Sequence, residues 1–388
     1  MQLSYSSLYG LTYPTFVMER PVNTNTLSPR DAARSAAASL IHAYPDPLDL
    51  PPRGRWHYHQ GVFLLGLQRL AALEGDPELL DYTRRYLDGL IPADGSVPLA
   101  ATELDAMQPG NLIFPFLADN GEKQRLRQAL DTIVGLLTEF PKTDQGGFWH
   151  KHKYPNQQWL DGLYMAGPVS VRFGREFDRP DYFRLFADQA RLIEAGAKDE
   201  ATGLLRHGFD RSLKAAWAGS PDGKAPEVWG RALGWFPAAL LDMLDYLPRE
   251  SAEARELTAM FQRLMPPILK QRDEATKLWY QVLDKGYDPA NWIESSSSAL
   301  FIYSIAKGVR TGLLDKNLLH TAEDSFSALL KECCSYDDQG FFELNSICIG
   351  TGIGDYEFYL QRPVSTNDLH GVGAFILAAT ELVRAREE

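Results

Sequence analysis

No stretch of about 18 consecutive apolar residues, the length a membrane-spanning helix needs, occurs in the sequence. A membrane partner is therefore not expected. Cysteine is scarce: Cys333, Cys334 and Cys348 are an odd count with one adjacent pair, which builds no disulfide framework. No His/Cys spacing resembles a zinc site. Reduced thiols in a cytoplasmic protein are the expectation. Lys/Arg runs are missing as well, and the net charge of -12 argues against a nucleic-acid partner. Residues 1–26 lack a basic start followed by an apolar run, so no signal peptide is read there. Strand patterns are few; only 204–209 and 279–283 suggest short strands within loops. No low-complexity linker divides the chain.

Helical patterning is abundant. Ser28-Pro29-Arg30-Asp31 reads as an N-cap with proline at the first helical position, opening a helix to about His42 that the Pro-rich stretch 45–52 stops. Residues 1–27, polar and proline-punctuated, are expected to be an extended lead-in to a single domain over 28–388. A broad apolar face runs from 56 to 73, and Asp76-Pro77-Glu78 starts the next helix. Mostly apolar helices with glycines are expected near 103–119, 159–176, 228–247, 293–313 and 367–386. Amphipathic ones are expected near 76–90, 122–139, 180–198, 252–271 and 317–333. With the first two, that makes twelve helices in alternation, the apolar members beginning roughly 50–75 residues apart. A helix apolar all round must be buried, and an amphipathic one covers it. Six buried helices ringed by six partly exposed ones form an all-α (α/α)6 toroid, or barrel. An open solenoid fits less well, because the repeats are unequal and polar end-caps are lacking.

In an up-and-down toroid every second helix runs the same way, so the N-termini of the six inner helices meet at one mouth. Their openings are Trp56-His57-Tyr58-His59-Gln60, Glu103-Leu104-Asp105, Trp159-Leu160-Asp161, Glu227-Val228-Trp229-Gly230-Arg231, Trp292-Ile293-Glu294 and Thr366-Asn367-Asp368-Leu369-His370. Five of the eight tryptophans (56, 159, 229, 235, 292) lie in or just past them. Three of the eight histidines do too, and His150, His152 and His207 fall in loops expected to overhang the same mouth. Indole faces stack on sugar rings, while carboxylates and imidazoles bind hydroxyls or move protons. Helix N-termini favour an anion, whose carboxylate Arg231 or Lys151 would pair. A carboxylated sugar is the inferred ligand, with Asp161 expected to carry the chemistry. Duller roles exist: a cap carboxylate for Asp161, Asp105 or Asp368, core packing for Trp56 and Trp292, an ion pair with Glu227 for Arg231, and tight helix packing for serines 295–298.

Five runs carry a resemblance to a known family. They are Arg55-Trp56-His57-Tyr58-His59-Gln60-Gly61, Gln158-Trp159-Leu160-Asp161-Gly162-Leu163-Tyr164-Met165-Ala166-Gly167-Pro168, Trp229-Gly230-Arg231-Ala232-Leu233-Gly234-Trp235, Gly350-Thr351-Gly352-Ile353-Gly354-Asp355-Tyr356 and Ser365-Thr366-Asn367-Asp368-Leu369-His370-Gly371-Val372-Gly373. From about residue 30 to the C-terminus the chain resembles the unsaturated rhamnogalacturonyl hydrolases, glycoside hydrolase family 105. The resemblance implies an (α/α)6 barrel and a substrate left by pectin lyases: a disaccharide or short oligosaccharide with a 4,5-unsaturated galacturonic acid at its nonreducing end, linked to rhamnose. By position it implies Asp161 as general acid and base and Asp105 as a second active-site carboxylate. Tyr58, His150, Lys151, Trp159, Met165, His207, Trp229, Arg231 and Trp235 match positions lining the family's sugar subsites. No cofactor is implied. No metal is expected either, since the clustered His and Asp residues lack a ligand spacing. A monomer or weak homo-oligomer in the cytoplasm is expected.

The implied chemistry is hydration of the C4=C5 vinyl ether. Asp161 protonates C4, and water deprotonated by the same carboxylate adds at C5; the hemiketal opens and expels the aglycone. One acid serves both steps, so the two-carboxylate spacing of ordinary glycosidases does not apply directly. Such an acid must start protonated. We therefore expect its pKa to be raised by Trp159, partial burial and the charge of Asp105, with a mildly acidic optimum. The nearest alternative is an unsaturated glucuronyl hydrolase acting on other lyase products. A conventional inverting glycosidase, a noncatalytic sugar binder and an epimerase using His57 and His59 are more remote.

Overall fold

A computed structural model describes residues 23–218 and 221–387. Among them, α1 (Pro29–Ala43) leads into α2 (Tyr58–Glu74), and α3 (Pro77–Leu90) into a 3₁₀ run over Leu104–Leu112. Next, α4 (Lys123–Glu139) precedes α5 (Leu160–Glu176), and α6 (Asp181–Ala197) precedes α7 (Gly230–Leu244). Then α8 (Ala252–Lys270) precedes α9 (Ser295–Arg310). The set ends with α10 (Leu318–Cys333), the short α11 (Tyr356–Leu360) and α12 (Leu369–Glu387). The second members form a closed ring: α2 packs on the 3₁₀ run, that run on α5, α5 on α7, α7 on α9, α9 on α12, and α12 back on α2. The first members lie outside. This is the expected (α/α)6 barrel.

Local chemistry explains the assignment of helices to layers. Every residue of α9 from Ser295 to Val309 is buried, as is every residue of α12 from Leu369 to Val383. By contrast, α4 buries only Leu126, Ala129, Leu130, Ile133, Val134 and Leu137, one stripe at helical spacing. The outer helices start with strong caps. Ser28 accepts from the Asp31 N–H ahead of Pro29, and Asp76 accepts from Glu78 and Leu79 ahead of Pro77. The ring closes where α2 and α12 touch backbone to backbone. A Cβ on Gly373 would sit 2.6 Å from the Val62 carbonyl and the Phe63 nitrogen, so only glycine allows this approach.

Two expectations are corrected. The helix expected over 103–119 is instead the 3₁₀ run followed by a second 3₁₀ turn, Phe114–Phe116. Pro109 and Pro115 each remove an N–H, and their rings crowd the preceding turn, which favours the tighter turns seen here. The lead-in over 1–27 falls largely outside the described residues. Its described end is not extended throughout: Thr24–Thr26 form one 3₁₀ turn, and the Thr24 hydroxyl donates to the Leu330 carbonyl at 3.0 Å. No described helix is long and apolar enough to cross a membrane.

Of the two expected strands, the first survives as its last two residues. β1 (Gln158–Trp159) pairs antiparallel with β2 (Gly208–Phe209). Residues 279–283 contribute only isolated bridges, Trp229 to Val282 and Tyr280 to Ile293. Two further ribbons form, β3 (Cys334–Tyr336) with β4 (Phe342–Leu344) and β5 (Ile347–Cys348) with β6 (Val364–Ser365). All three pairs sit in loops that lead to or from the N-termini of inner helices.

Candidate active site

Asp161 occupies the first turn of α5, which opens at Trp159 with no side-chain cap. The β1–β2 ribbon sets what faces it. Trp159 pairs with Gly208, and the Leu160 N–H donates to the His207 carbonyl at 3.1 Å. Gly208 is needed for this approach, because a Cβ there would lie 2.6 Å from the Gln158 carbonyl oxygen. His207 Nε2 consequently stands 3.4 Å from Asp161 Oδ2; the two buried atoms face each other at that contact without completing a hydrogen bond, and neither bonds any other group. On the far side of the ring, Nδ1 is 2.7 Å from the Tyr359 hydroxyl.

Asp105 is held differently. An antiparallel bridge between Glu103 and Lys151 carries the Lys151 ammonium across the mouth, where it donates to Asp105 at 2.5 Å and to Glu103 at 2.8 Å. His150 Nε2 lies 3.6 Å from the other Asp105 oxygen. The Asp105 side chain is 6% exposed and neutralised by a cation; that of Asp161 is 14% exposed, with the His207 imidazole rather than a cation beside it. Asp161 is thus the more accessible acid, and the one with no cation paired to it.

Aromatic rings wall this pair of carboxylates. Trp159 stacks on His150 at 4.4 Å and on Tyr154 at 4.9 Å between ring centroids. His207 lies edge-on to Trp159 at 5.0 Å and 4.6 Å from Trp229, which stacks on Tyr359. Hydrogen bonds to Gln157 and Gln281 fix the two indole N–H groups. Tyr58 feels the charges of Arg231, Asp105, Asp368 and Asp161, which places it among them. Met165 and Trp235 are buried one turn deeper, four residues beyond Asp161 and Arg231 on the same helix faces. The structure therefore gathers the expected site residues around one mouth.

Some expected roles are corrected. Arg231 is 1% exposed; it donates to the Cys348 carbonyl and, at 2.8 Å, to that of Ile349, and lies 3.8 Å from Glu294 rather than pairing with Glu227. Glu227 pairs with Lys285. Arg231 and Lys151 both have protein partners, so neither is a free cation awaiting a ligand. His152 is exposed and packs on Phe140. Trp56 is core, its N–H bonded to the Ala106 carbonyl, and serines 295–298 are wholly buried. Asp105 and Asp161 cap nothing.

The expected rise in the Asp161 pKa is also overturned. Burial does push it up, but the His207 imidazole beside it and, more weakly, that of His150 favour the ionised form and pull it down further, leaving it below the ordinary carboxylate range. Asp105 adds little upward push because Lys151 already balances it. Burial raises Asp105 itself as well, yet His150 and Lys151 bring it below the usual value. Burial likewise lowers His150, His207 and His57.

Sequence reasoning missed Tyr359 and Tyr154, and it placed His59, Asp368 and His370 at the mouth without bringing the three together. In the trio, both imidazoles approach one Asp368 oxygen, at 3.3 and 2.8 Å, and the three ligand atoms lie within 4.8 Å of one another. Those separations are hydrogen-bond lengths from two rings to one carboxylate, and burial lowers the pKa of His59 to about 3. The only sequence signal for Tyr359 was its place just after the Gly350–Tyr356 run.

An inner-helix mouth that brings two acids, four indoles or imidazoles and a lysine together on an (α/α)6 barrel defines a carbohydrate-processing enzyme. The sequence pattern of Glycosyl Hydrolase Family 88 matches residues 32–386. A glycoside hydrolase of family 105 from C. acetobutylicum superimposes with a TM-score of 0.85 at 31% identity, covering 90% of this chain and 99% of that one. The chain belongs to this family 88 and 105 group of glycoside hydrolases. YesR of Bacillus subtilis, an unsaturated rhamnogalacturonyl hydrolase, is 22% identical over 340 residues, 86% of this chain and 91% of its own. The unsaturated glucuronyl hydrolase of Bacillus sp. GL1 shares the fold, with a TM-score of 0.69 at 15% identity over 91% of this chain and 95% of that one.

Proposed function

We propose that the chain hydrates the C4=C5 bond of a 4,5-unsaturated galacturonic acid at the nonreducing end of rhamnogalacturonan-lyase products. The observation that carries this is the contrast between the two acids. Asp105 is tied to Lys151, whereas Asp161 is partly exposed and touches only His207. A single mobile proton at one carboxylate suits hydration, which needs one group as acid and then base. The Asp161 carboxyl gives its proton to C4, leaving an oxocarbenium-like centre at C5. Water bonds to C5 and returns a proton to the carboxylate. The hemiketal then releases its ring oxygen to leave a ketone at C5, and the hemiacetal left at C1 expels the aglycone alcohol.

Asp161 is ionised in the free protein at neutral pH, so protonation must accompany binding. The substrate's own carboxylate supplies the cause, because a like charge entering a buried site raises the proton affinity of its neighbour. It would be received by first-turn amides of α5 and α7, whose N-termini have no side-chain caps. Trp159 and Trp229 would border the sugar, with Tyr58 and His150 bonding hydroxyls. The rhamnose-linked substrate rests on the likeness to YesR over most of both chains.

The test is loss of the ultraviolet absorbance of the unsaturated uronate. Rhamnogalacturonan-lyase products go in one cuvette and chondroitin- or hyaluronan-lyase products in another, with Asp161→Asn beside the wild type. Loss in the first alone, abolished by the substitution, is expected. Loss in the second alone would move the substrate to glucuronyl compounds, and loss in neither would remove the hydration chemistry.

A further inference from the structure

The Gly350-Thr351-Gly352-Ile353-Gly354-Asp355-Tyr356 run has no role in the chemistry above, yet it leads into α11, which ends beside the catalytic pair. Asp355 caps α11, accepting from the Phe358 N–H at 2.9 Å. This turn delivers Tyr359, wholly buried, with its hydroxyl 2.7 Å from His207 Nδ1. We propose that Tyr359 is a positioning residue: it fixes His207 in the tautomer that carries its proton on Nε2 and so turns an N–H toward the Asp161 carboxylate 3.4 Å away. This rests on the role given to Asp161 above.

Two independent constraints select that tautomer. The Tyr359 O–H is buried, and among the described residues its only hydrogen-bond partner is His207 Nδ1, so Nδ1 must accept. On the other side, Nε2 faces the Asp161 carboxylate at 3.4 Å. A bare nitrogen lone pair there would oppose an ionised oxygen, while an N–H bonds it. The proton order is thus Tyr359 O–H to Nδ1, then Nε2–H to Asp161.

The surroundings support a neutral ring. His207 is faced by Asp161, by the Arg231 guanidinium from α7, and by the rings of Trp159, Trp229 and Tyr359. Asp161 is faced by His207, His150 and Asp105, and Tyr359 by Asp161, Glu227 and Cys348. A hydrogen bond to the ionised form of an acid lowers its pKa. Removing the phenol takes away one of the two constraints, so the tautomer with its proton on Nδ1 gains population and Asp161 faces an N–H for less of the time. Its pKa should rise by about one unit, a roughly tenfold larger protonated fraction above the pKa.

Tyr359→Phe keeps the ring that packs between Trp229 and His207 and deletes only the hydroxyl. In the free protein, ring-nitrogen NMR of labelled histidine should show His207 protonated at Nε2 in the wild type, and at Nδ1 or as a mixture in the variant. A carboxyl-carbon titration should show the Asp161 pKa raised in the variant, and the alkaline limb of kcat/KM should move up with it. An unchanged tautomer, or a changed tautomer with an unmoved Asp161 titration, would overturn the proposal. Both NMR measurements need no substrate, so they decide the matter even if every unsaturated disaccharide proves inert and the hydration assignment fails. Tyr359→Leu, if the Phe variant does not fold, offers the same two readouts without a ring.

Discussion

Replacing Lys151 with methionine would strip Asp105 of its cation while keeping most of the aliphatic stem. Asp105 is 6% exposed and Lys151 16% exposed at the side chain, with 2.5 Å between the charged atoms. Deleting one partner of a buried pair costs about 3–5 kcal/mol, because the other charge stays buried. His150 remains 3.6 Å away and Lys151 is not fully enclosed, so about 3 kcal/mol at neutral pH is expected. The cost should depend on pH in a definite sense. In the wild type the Asp105 pKa is depressed, so its contribution is present above the unfolded value of about 3.9 and lost as pH falls through the folded value. In Lys151→Met the folded pKa rises above the unfolded one. The penalty is then full above that raised pKa and vanishes where Asp105 is protonated in both states. Urea unfolding of both proteins at pH 7.5 and at pH 5 should show the gap narrowing on acidification. Asp105→Asn combined with Lys151→Met should recover most of the loss, since no buried charge is left. A gap below about 1 kcal/mol at neutral pH, or one that widens on acidification, would refute the reasoning.

Asp161→Asn should fold with an unchanged melting temperature and lose about 10²-fold or more in kcat on an unsaturated disaccharide, the range general acid–base groups command; steady-state kinetics decide it. The pH profiles of wild-type kcat and kcat/KM should differ, the alkaline limb of kcat lying higher, because the bound anion raises Asp161; coincident limbs would contradict protonation on binding. Gly373→Ala should destabilise by about 2–3 kcal/mol despite alanine's better helix propensity, as its methyl meets α2 backbone that cannot yield, and a melting curve would show it. At the opposite end of the barrel, Lys307 donates to Asp242 at 2.6 Å and to Asp245 at 2.7 Å. Lys307→Met should cost about 3–5 kcal/mol in urea unfolding while leaving the pH profile of turnover in place.

Much of the barrel was legible because its layers are written in short-range patterns. Burial on all sides demands apolar residues all round, as in α7 and α9, and one-sided burial leaves a stripe, as in α4. Caps such as Ser28 and Asp76 act on their own first turns, so helix starts were readable to within a residue or two. The exception, Leu104–Leu112, shows the limit of that reading: apolar periodicity suggested an α-helix, and Pro109 and Pro115 imposed tighter turns.

What the sequence by itself determined was which segments open at the barrel mouth, because helix direction alternates and each inner helix begins with its own polar and aromatic side chains. What those side chains do to one another was decided only by the tertiary structure. Whether Lys151 greets a ligand or Asp105 depends on a bridge to Glu103, and whether Asp161 holds its proton depends on a ring two loops away. His207 and Tyr359 meet across 152 residues, with no periodicity to link them. Electrostatics acts through space over a few ångströms, so a carboxylate's proton affinity belongs to the folded neighbourhood and not to the segment that carries it.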